Sequence, residues 1–265
     1  THATHAAAPK PTVARADDED DDDNFGMPAL DRTPKLHIGG KQARPDSGYT
    51  RIVAAADGTR LGEVGDGNRK DLRNAVAAAL AASGWARTTG HARAQVLYYV
   101  AENLAARSDE FARRLDAMSG RATGAREVAA TIDRLFTWAA WADKHDGAVH
   151  QVPIRGVALQ MNEPIGVVGI ACPDESPLLS FVSLVAPAIA VGNTVVVVPS
   201  ERHPLAVTDF YQVVDTSDVP GGVVNIVTGD RDALAKVLAQ HDEVDALWYV
   251  GTDDGLLQVS ADGGL

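Results

Sequence analysis

Residues 176–201 read SPLLSFVSLVAPAIAVGNTVVVVPSE, and their reading decides the fold. Ser176–Ser200 carries no charged side chain and is long enough to raise the question of a membrane span. Pro187, Gly192, Asn193 and the closing β-branched run answer it differently. They predict a buried helix over Leu178–Val191, a Gly-Asn stop and a buried strand over Thr194–Val198. The same rhythm continues on both sides. Strands are expected at Gly156–Asn162, Gly166–Ala171, Val223–Val227 and Ala246–Val250, with helices at Leu205–Val214 and Ala233–Ala239. Apolar runs of about five residues alternating with helices are the pattern of βαβ units and a parallel sheet covered on both faces. The expected class is α/β. Ligands of such sheets sit beyond the carboxyl ends of the strands, so the informative residues should follow Ala171, Val198, Val227 and Val250.

The first half reads as a helical layer after two short strands, Lys35–Ile38 and Arg51–Ala55. Asp71–Ala82 is an Ala-rich helix stopped by Ser83-Gly84 ahead of Trp85. His91–Arg107 places Val96, Tyr99, Val100 and Leu104 on one face. Asp109–Met118 and Arg126–Lys144 follow, the last lined by Ile132, Leu135, Phe136 and Trp138. Residues 1–34 are a different material: a Thr-His repeat, an Ala/Pro stretch and seven consecutive acids, Asp17–Asp23. With almost nothing apolar to bury, they are expected to form a disordered tail or linker ahead of a folded region over 35–265. His2 and His5 fit a flexible polar tail better than a metal site.

Composition removes whole classes of function. Hydrophobic residues make up 45% of the 265, an ordinary globular share that excludes a wholly disordered or fibrous chain. Lys+Arg 24 against Asp+Glu 36 gives a net charge of -12, which argues against generic nucleic-acid binding. The N-terminus lacks the basic-then-apolar pattern of a secretory signal. Cys172 is the one cysteine, so neither an internal disulfide nor a thiolate metal cage is available, and a reducing cytoplasm is the default compartment. HExxH and CxxC spacings are absent, and no Ser/His/Asp set stands in a diagnostic motif.

Three of the four strand ends resemble those of the NAD(P)-dependent aldehyde dehydrogenases. The carrying segments are Glu163-Pro164-Ile165-Gly166-Val167-Val168-Gly169, then Gly192-Asn193-Thr194-Val195-Val196 with Pro199-Ser200-Glu201, then Pro220-Gly221-Gly222-Val223-Val224-Asn225-Ile226-Val227-Thr228-Gly229. The acidic linker makes the chain most similar to the degenerate second domain of the tandem-domain, family-sixteen type. The resemblance implies a helical layer, a truncated Rossmann-like sheet and sheet-extending strands that pair across subunits; Gly156–Asn162 is similar to one of these. It also implies assembly with a second copy or with another aldehyde dehydrogenase domain. The Gly-Gly-Leu end falls where a phosphate-binding helix should run, so a fragment of an active enzyme is the alternative expectation.

By resemblance the cofactor is NAD, held weakly or only as a vestige. The family's Lys-Pro-x-Glu turn keeps Pro199, Ser200 and Glu201 but has Val198 in place of the lysine. A carboxylate at Glu201 would accept bonds from ribose hydroxyls and disfavour a 2′-phosphate. Losing the lysine removes a charge-assisted bond worth roughly 1.5–3 kcal/mol. Gly229 closes the third segment. The pyrophosphate turn, Phe-Thr-Gly-Ser in the family, reads Tyr249-Val250-Gly251-Thr252, so Gly251 and Thr252 are the expected contacts. Asp253 and Asp254 follow and suit capping of the helix as well as they suit a ligand.

The family's chemistry needs a nucleophilic thiolate, an oxyanion donor and a carboxylate base. The donor is an asparagine in a Pro-Trp-Asn-Phe-Pro turn, which here reads Pro173-Asp174-Glu175-Ser176-Pro177, with Glu175 at the asparagine position. Losing one such donor typically costs ~2.7–4 kcal/mol of transition-state stabilisation. Cys172 precedes the turn at the end of a buried strand and reads as a small hydrophobe. No catalytic residue is expected among the 265. The parent activity implied is NAD-dependent oxidation of an aldehyde to a carboxylic acid. The competing readings are a partner-binding or oligomerisation module and, from another class, an acidic tail that recruits a basic partner or a divalent cation.

Overall fold

A computed structural model describes residues 13–15, 34–145 and 147–263. The chain opens with β1 (Val13–Arg15), β2 (Leu36–Ile38), β3 (Lys41–Ala43), β4 (Tyr49–Ala54) and β5 (Arg60–Gly65). Helices α1 (Arg69–Ala81), α2 (Gly90–Ala106), α3 (Ser108–Ser119) and α4 (Gly124–Trp141) follow, with a short 3-10 helix over Ser83–Arg87. A hairpin of β6 (Ala148–Gln151) and β7 (Val157–Gln160) leads into the second half. There β8 (Val167–Ala171), α5 (Pro177–Ala190), β9 (Thr194–Val198), α6 (Leu205–Asp209) and α7 (Tyr211–Asp215) alternate with β10 (Val224–Ile226), α8 (Arg231–Ala239), β11 (Ala246–Tyr249) and α9 (Asp253–Asp262).

The main sheet has six strands in the order β11-β8-β9-β10-β2-β3. Its four βαβ strands are parallel, as expected, but β2 joins β10 antiparallel and β3 joins β2 antiparallel. The sheet is therefore mixed rather than purely parallel. Every residue of β8 and β9 is buried, and alternate side chains feed two cores. Val168, Ile170, Val195 and Val197 pack toward α2, α4 and α5, while Val167, Val196 and Val198 pack toward α1 and α8. Gly166 lies at φ +129, and a Cβ there would meet the Asp245 carboxylate at 2.1 Å, the same carboxylate that accepts from Val167 N. Gly192, at φ +102, ends α5 in a conformation that side-chain-bearing residues avoid.

Several elements differ from the sequence reading for identifiable reasons. The expected helix over 205–214 is two short helices joined at Phe210. In α2 the buried face is Ala94, Leu97, Val100, Ala101 and Leu104, whereas Tyr99 is exposed. In α4 it is Val128, Thr131, Leu135 and Ala139, with Phe136 at the surface. Large aromatics drew the predicted stripe away from the small residues that let helices approach. Helix α1 starts two residues early because Asn68 and Asp71 form a reciprocal capping box. Strand β7 is found, but it pairs with β6 in a separate two-stranded sheet and does not extend the main one. Strands β3, β5 and β6 had no clear apolar pattern to read.

Val13–Arg15 pair antiparallel with Tyr49–Arg51; the other residues of 1–33, where a disordered tail or linker is expected, lie outside the described set. Among the described residues, no helix is long and apolar enough to cross a membrane.

Candidate functional site

The parallel strands deliver four loops to one end of the sheet, and the site is built there. The loop after β8 turns through Ser176 at φ +46 and enters α5 at Pro177. Helix α5 has no cap of its own; Glu127 of α4 reaches across and accepts from Leu178 N at 2.9 Å and Leu179 N at 3.2 Å. Burial raises the Glu127 carboxyl above its ordinary range against those two bonds. A cleft of about 930 Å³ opens between β4, the α3–α4 corner and the loops after β8 and β9. Arg51, Glu127, Asp174, Glu175, Glu201 and His203 line it.

Of the residues expected to hold a cofactor, Glu201 lines this cleft. Its Oε2 accepts from Arg231 N at 3.2 Å, and its Oε1 lies 3.9 Å from Arg51 Nη1. Ser200 and Pro199 are buried beneath it, with Ser200 Oγ donating to Asp174 Oδ1 at 2.8 Å and accepting from His203 N at 3.0 Å. Val198 is fully buried, so a lysine at this position would start from the core. Gly229 is buried where a Cβ would sit 2.7 Å from Leu234. Gly251 and Thr252 lie at the far edge, and Thr252 caps α9 by accepting from Gly255 N at 3.0 Å. The cap is thus Thr252 rather than Asp253 or Asp254.

Sequence reasoning missed the polar chain that joins these loops. Arg231, at 8% exposure, lies 3.3 Å from Asp174 Oδ2 and 3.4 Å from both Asp232 Oδ1 and the Cys172 carbonyl. Asp232 Oδ1 in turn accepts from the Tyr249 hydroxyl at 2.6 Å. Burial alone would raise the Asp174 carboxyl, but Arg202 N–H, the Ser200 hydroxyl and Arg231 together hold it below the ordinary value. Burial opposes the charge on Arg231, and the neighbouring Asp174 and Asp232 carboxylates more than restore it. Sequence offered no signal for this network, because the Ser200 and Arg231 side chains bonded to Asp174 stand 26 and 57 residues from it. Cys172 is buried and its thiol is pushed up to about 12, which leaves it un-ionised and unreactive at neutral pH.

Residues 43–261 match the model of the aldehyde dehydrogenase family. The chain belongs to that family. It is 33% identical over 247 residues to a phenylacetaldehyde dehydrogenase of Pseudomonas fluorescens, covering 87% of this chain and 49% of that protein. Identity to a hydroxyisobutyraldehyde dehydrogenase of Mycolicibacterium austroafricanum is also 33%, over 235 residues, 87% of this chain and 47% of the relative. An NAD-dependent aldehyde dehydrogenase of Sinorhizobium meliloti superposes with a TM-score of 0.84 at 28% identity, over 87% of this chain and 48% of that one. The chain therefore spans about half the length of the family members it matches.

Proposed function

We propose that these 265 residues form an aldehyde dehydrogenase module that does not oxidise aldehydes on its own and keeps only part of an NAD site. The observation that carries this reading is Glu175, exposed on the cleft where the family resemblance implies an amide donor for the oxyanion. An ionised carboxylate accepts hydrogen bonds and repels a developing oxyanion, by up to about 4 kcal/mol at 4 Å with an effective dielectric of 20. The buried, protonated Cys172 supplies no nucleophile.

The residues fit one end of NAD and not the other. Glu201 offers a carboxylate on the open cleft for ribose hydroxyls, and Arg51 beside it fixes its position. At the diphosphate end, the Thr252 hydroxyl accepts from Gly255 N as the cap of α9, and Asp253 and Asp254 add negative charge in its first turn. Purified chain mixed with NAD⁺ and a series of aliphatic and aryl aldehydes should form no reduced nicotinamide above the uncatalysed rate. Calorimetry should show NAD⁺ binding no tighter than about millimolar, which corresponds to about −4 kcal/mol. Turnover, or micromolar binding, would overturn the reading.

A second role is favoured by the β6–β7 hairpin. Val149, Val157, Leu159 and Met161 are 64–72% exposed there, an apolar surface suited to assembly with a second copy or another aldehyde dehydrogenase domain. The single buried thiol and acidic surface fit action in the cytoplasm.

A further inference from the structure

We infer that the Tyr249 hydroxyl, pinned by Asp232, closes the start of α9 to a diphosphate and is the residue that sets how weakly this module holds a dinucleotide. The inference rests on the partial NAD site proposed above.

Tyr249 ends β11, and its side chain folds back over the turn that follows. Its hydroxyl accepts from Thr252 N at 3.2 Å and donates to Asp232 Oδ1 at 2.6 Å. An ideal Cβ would stand 2.3 Å from that oxygen if built on Gly251 and 1.9 Å if built on Gly255, so the hydroxyl occupies the space directly over the first turn of α9. Both glycines are needed to leave room for it.

The direction of the bonds matters. An ionised carboxylate accepts and does not donate, so Asp232 fixes the phenol proton on its own side and turns a hydroxyl lone pair toward Thr252 N. A diphosphate oxygen arriving here would be a second acceptor for a donor already in use. It would also meet Asp232, Asp253 and Asp254.

Asp232 is held in turn by Arg231, 3.4 Å away, which lies 3.3 Å from Asp174, itself bonded to Ser200 at 2.8 Å. One chain of polar side chains thus runs from β11 across the ends of β10, β8 and β9, through the crevice where ligands of parallel sheets bind. The protein fills its own crevice, and Tyr249 is the part over the phosphate position.

The test compares adenosine with ADP by calorimetry on the wild type and on Tyr249→Phe, each shown folded by its melting transition. The wild type should bind the two ligands within about threefold of each other, because Thr252 N, the donor beneath the Tyr249 hydroxyl, is already in use and Asp232, Asp253 and Asp254 oppose the added charge. Tyr249→Phe frees Thr252 N and should tighten ADP and NAD⁺ at least about tenfold while leaving adenosine unchanged, the effect of one charge-assisted hydrogen bond. Wild-type ADP binding ten times tighter than adenosine would overturn the inference without any variant. So would a folded Tyr249→Phe protein that binds adenosine but gains nothing for ADP. If neither protein binds adenosine, ADP or NAD⁺, the partial NAD site itself falls, and this inference with it.

Discussion

Single residues set the chemistry at the strand ends. Asp174 stands where the family resemblance implies tryptophan, and it takes up Arg231, Ser200 and the Arg202 amide as a structural acid. A group whose folded value is depressed stabilises the fold above its ordinary value, 3.8, and that contribution is lost as pH falls through the depressed value. Asp174→Asn should therefore lower stability at pH 7 by about 1–2 kcal/mol, after allowing for solvent screening of a half-buried carboxylate. Its acid limb below about pH 4 should also be shallower than the wild type's. Urea titrations at pH 7 and pH 3 check both. An unchanged midpoint at pH 7 would mean that Arg231 finds another partner.

At the scale of elements, helices are terminated by their neighbours as much as by their own sequence. The carboxyl end of α5 gives its Ile189 carbonyl to Trp85 Nε1 and its Ala190 carbonyl to Arg93 Nε, both at 2.8 Å, while Glu127 holds its amino end. Helix α5 is thus clamped by the helical layer at both ends, which explains why Ser176 and Pro177 can start it without a cap. The β6–β7 hairpin is the opposite case. Its ladder is regular over four pairs, yet its apolar side chains face solvent, and an isolated hairpin is only marginally stable in water. Light scattering should find the wild type as a dimer or larger, and Leu159→Asp should shift it to monomer. A wild type that stays monomeric at about 100 μM would remove the assembly role.

Across the whole molecule, helices α2 to α5 share one of the two cores with one face of the sheet. Phe181 of α5 is 1% exposed and meets Phe210 edge to face at 5.6 Å, and Phe210 meets Phe111 of α3 at 6.2 Å. Phe181→Ala opens a cavity at this junction and should cost about 3–5 kcal/mol. It should lower one cooperative unfolding transition without splitting it. Two separate transitions would show that the layers fold independently.

The sequence by itself determined the alternation of buried strands and helices, because a run such as Thr194–Val198 can be satisfied only inside a doubly covered sheet. It also placed Glu201 and Glu175 at strand ends and marked Gly192 as a stop. The tertiary structure alone decided the antiparallel addition of β2 and β3 and the rotated faces of α2 and α4. It alone assembled the chain from Tyr249 through Asp232, Arg231 and Asp174 to Ser200. Local periodicity reports how one segment divides itself between core and water. Which acceptor a buried donor finds depends on loops that meet only when the sheet closes its order, and no spacing within one segment carries that information.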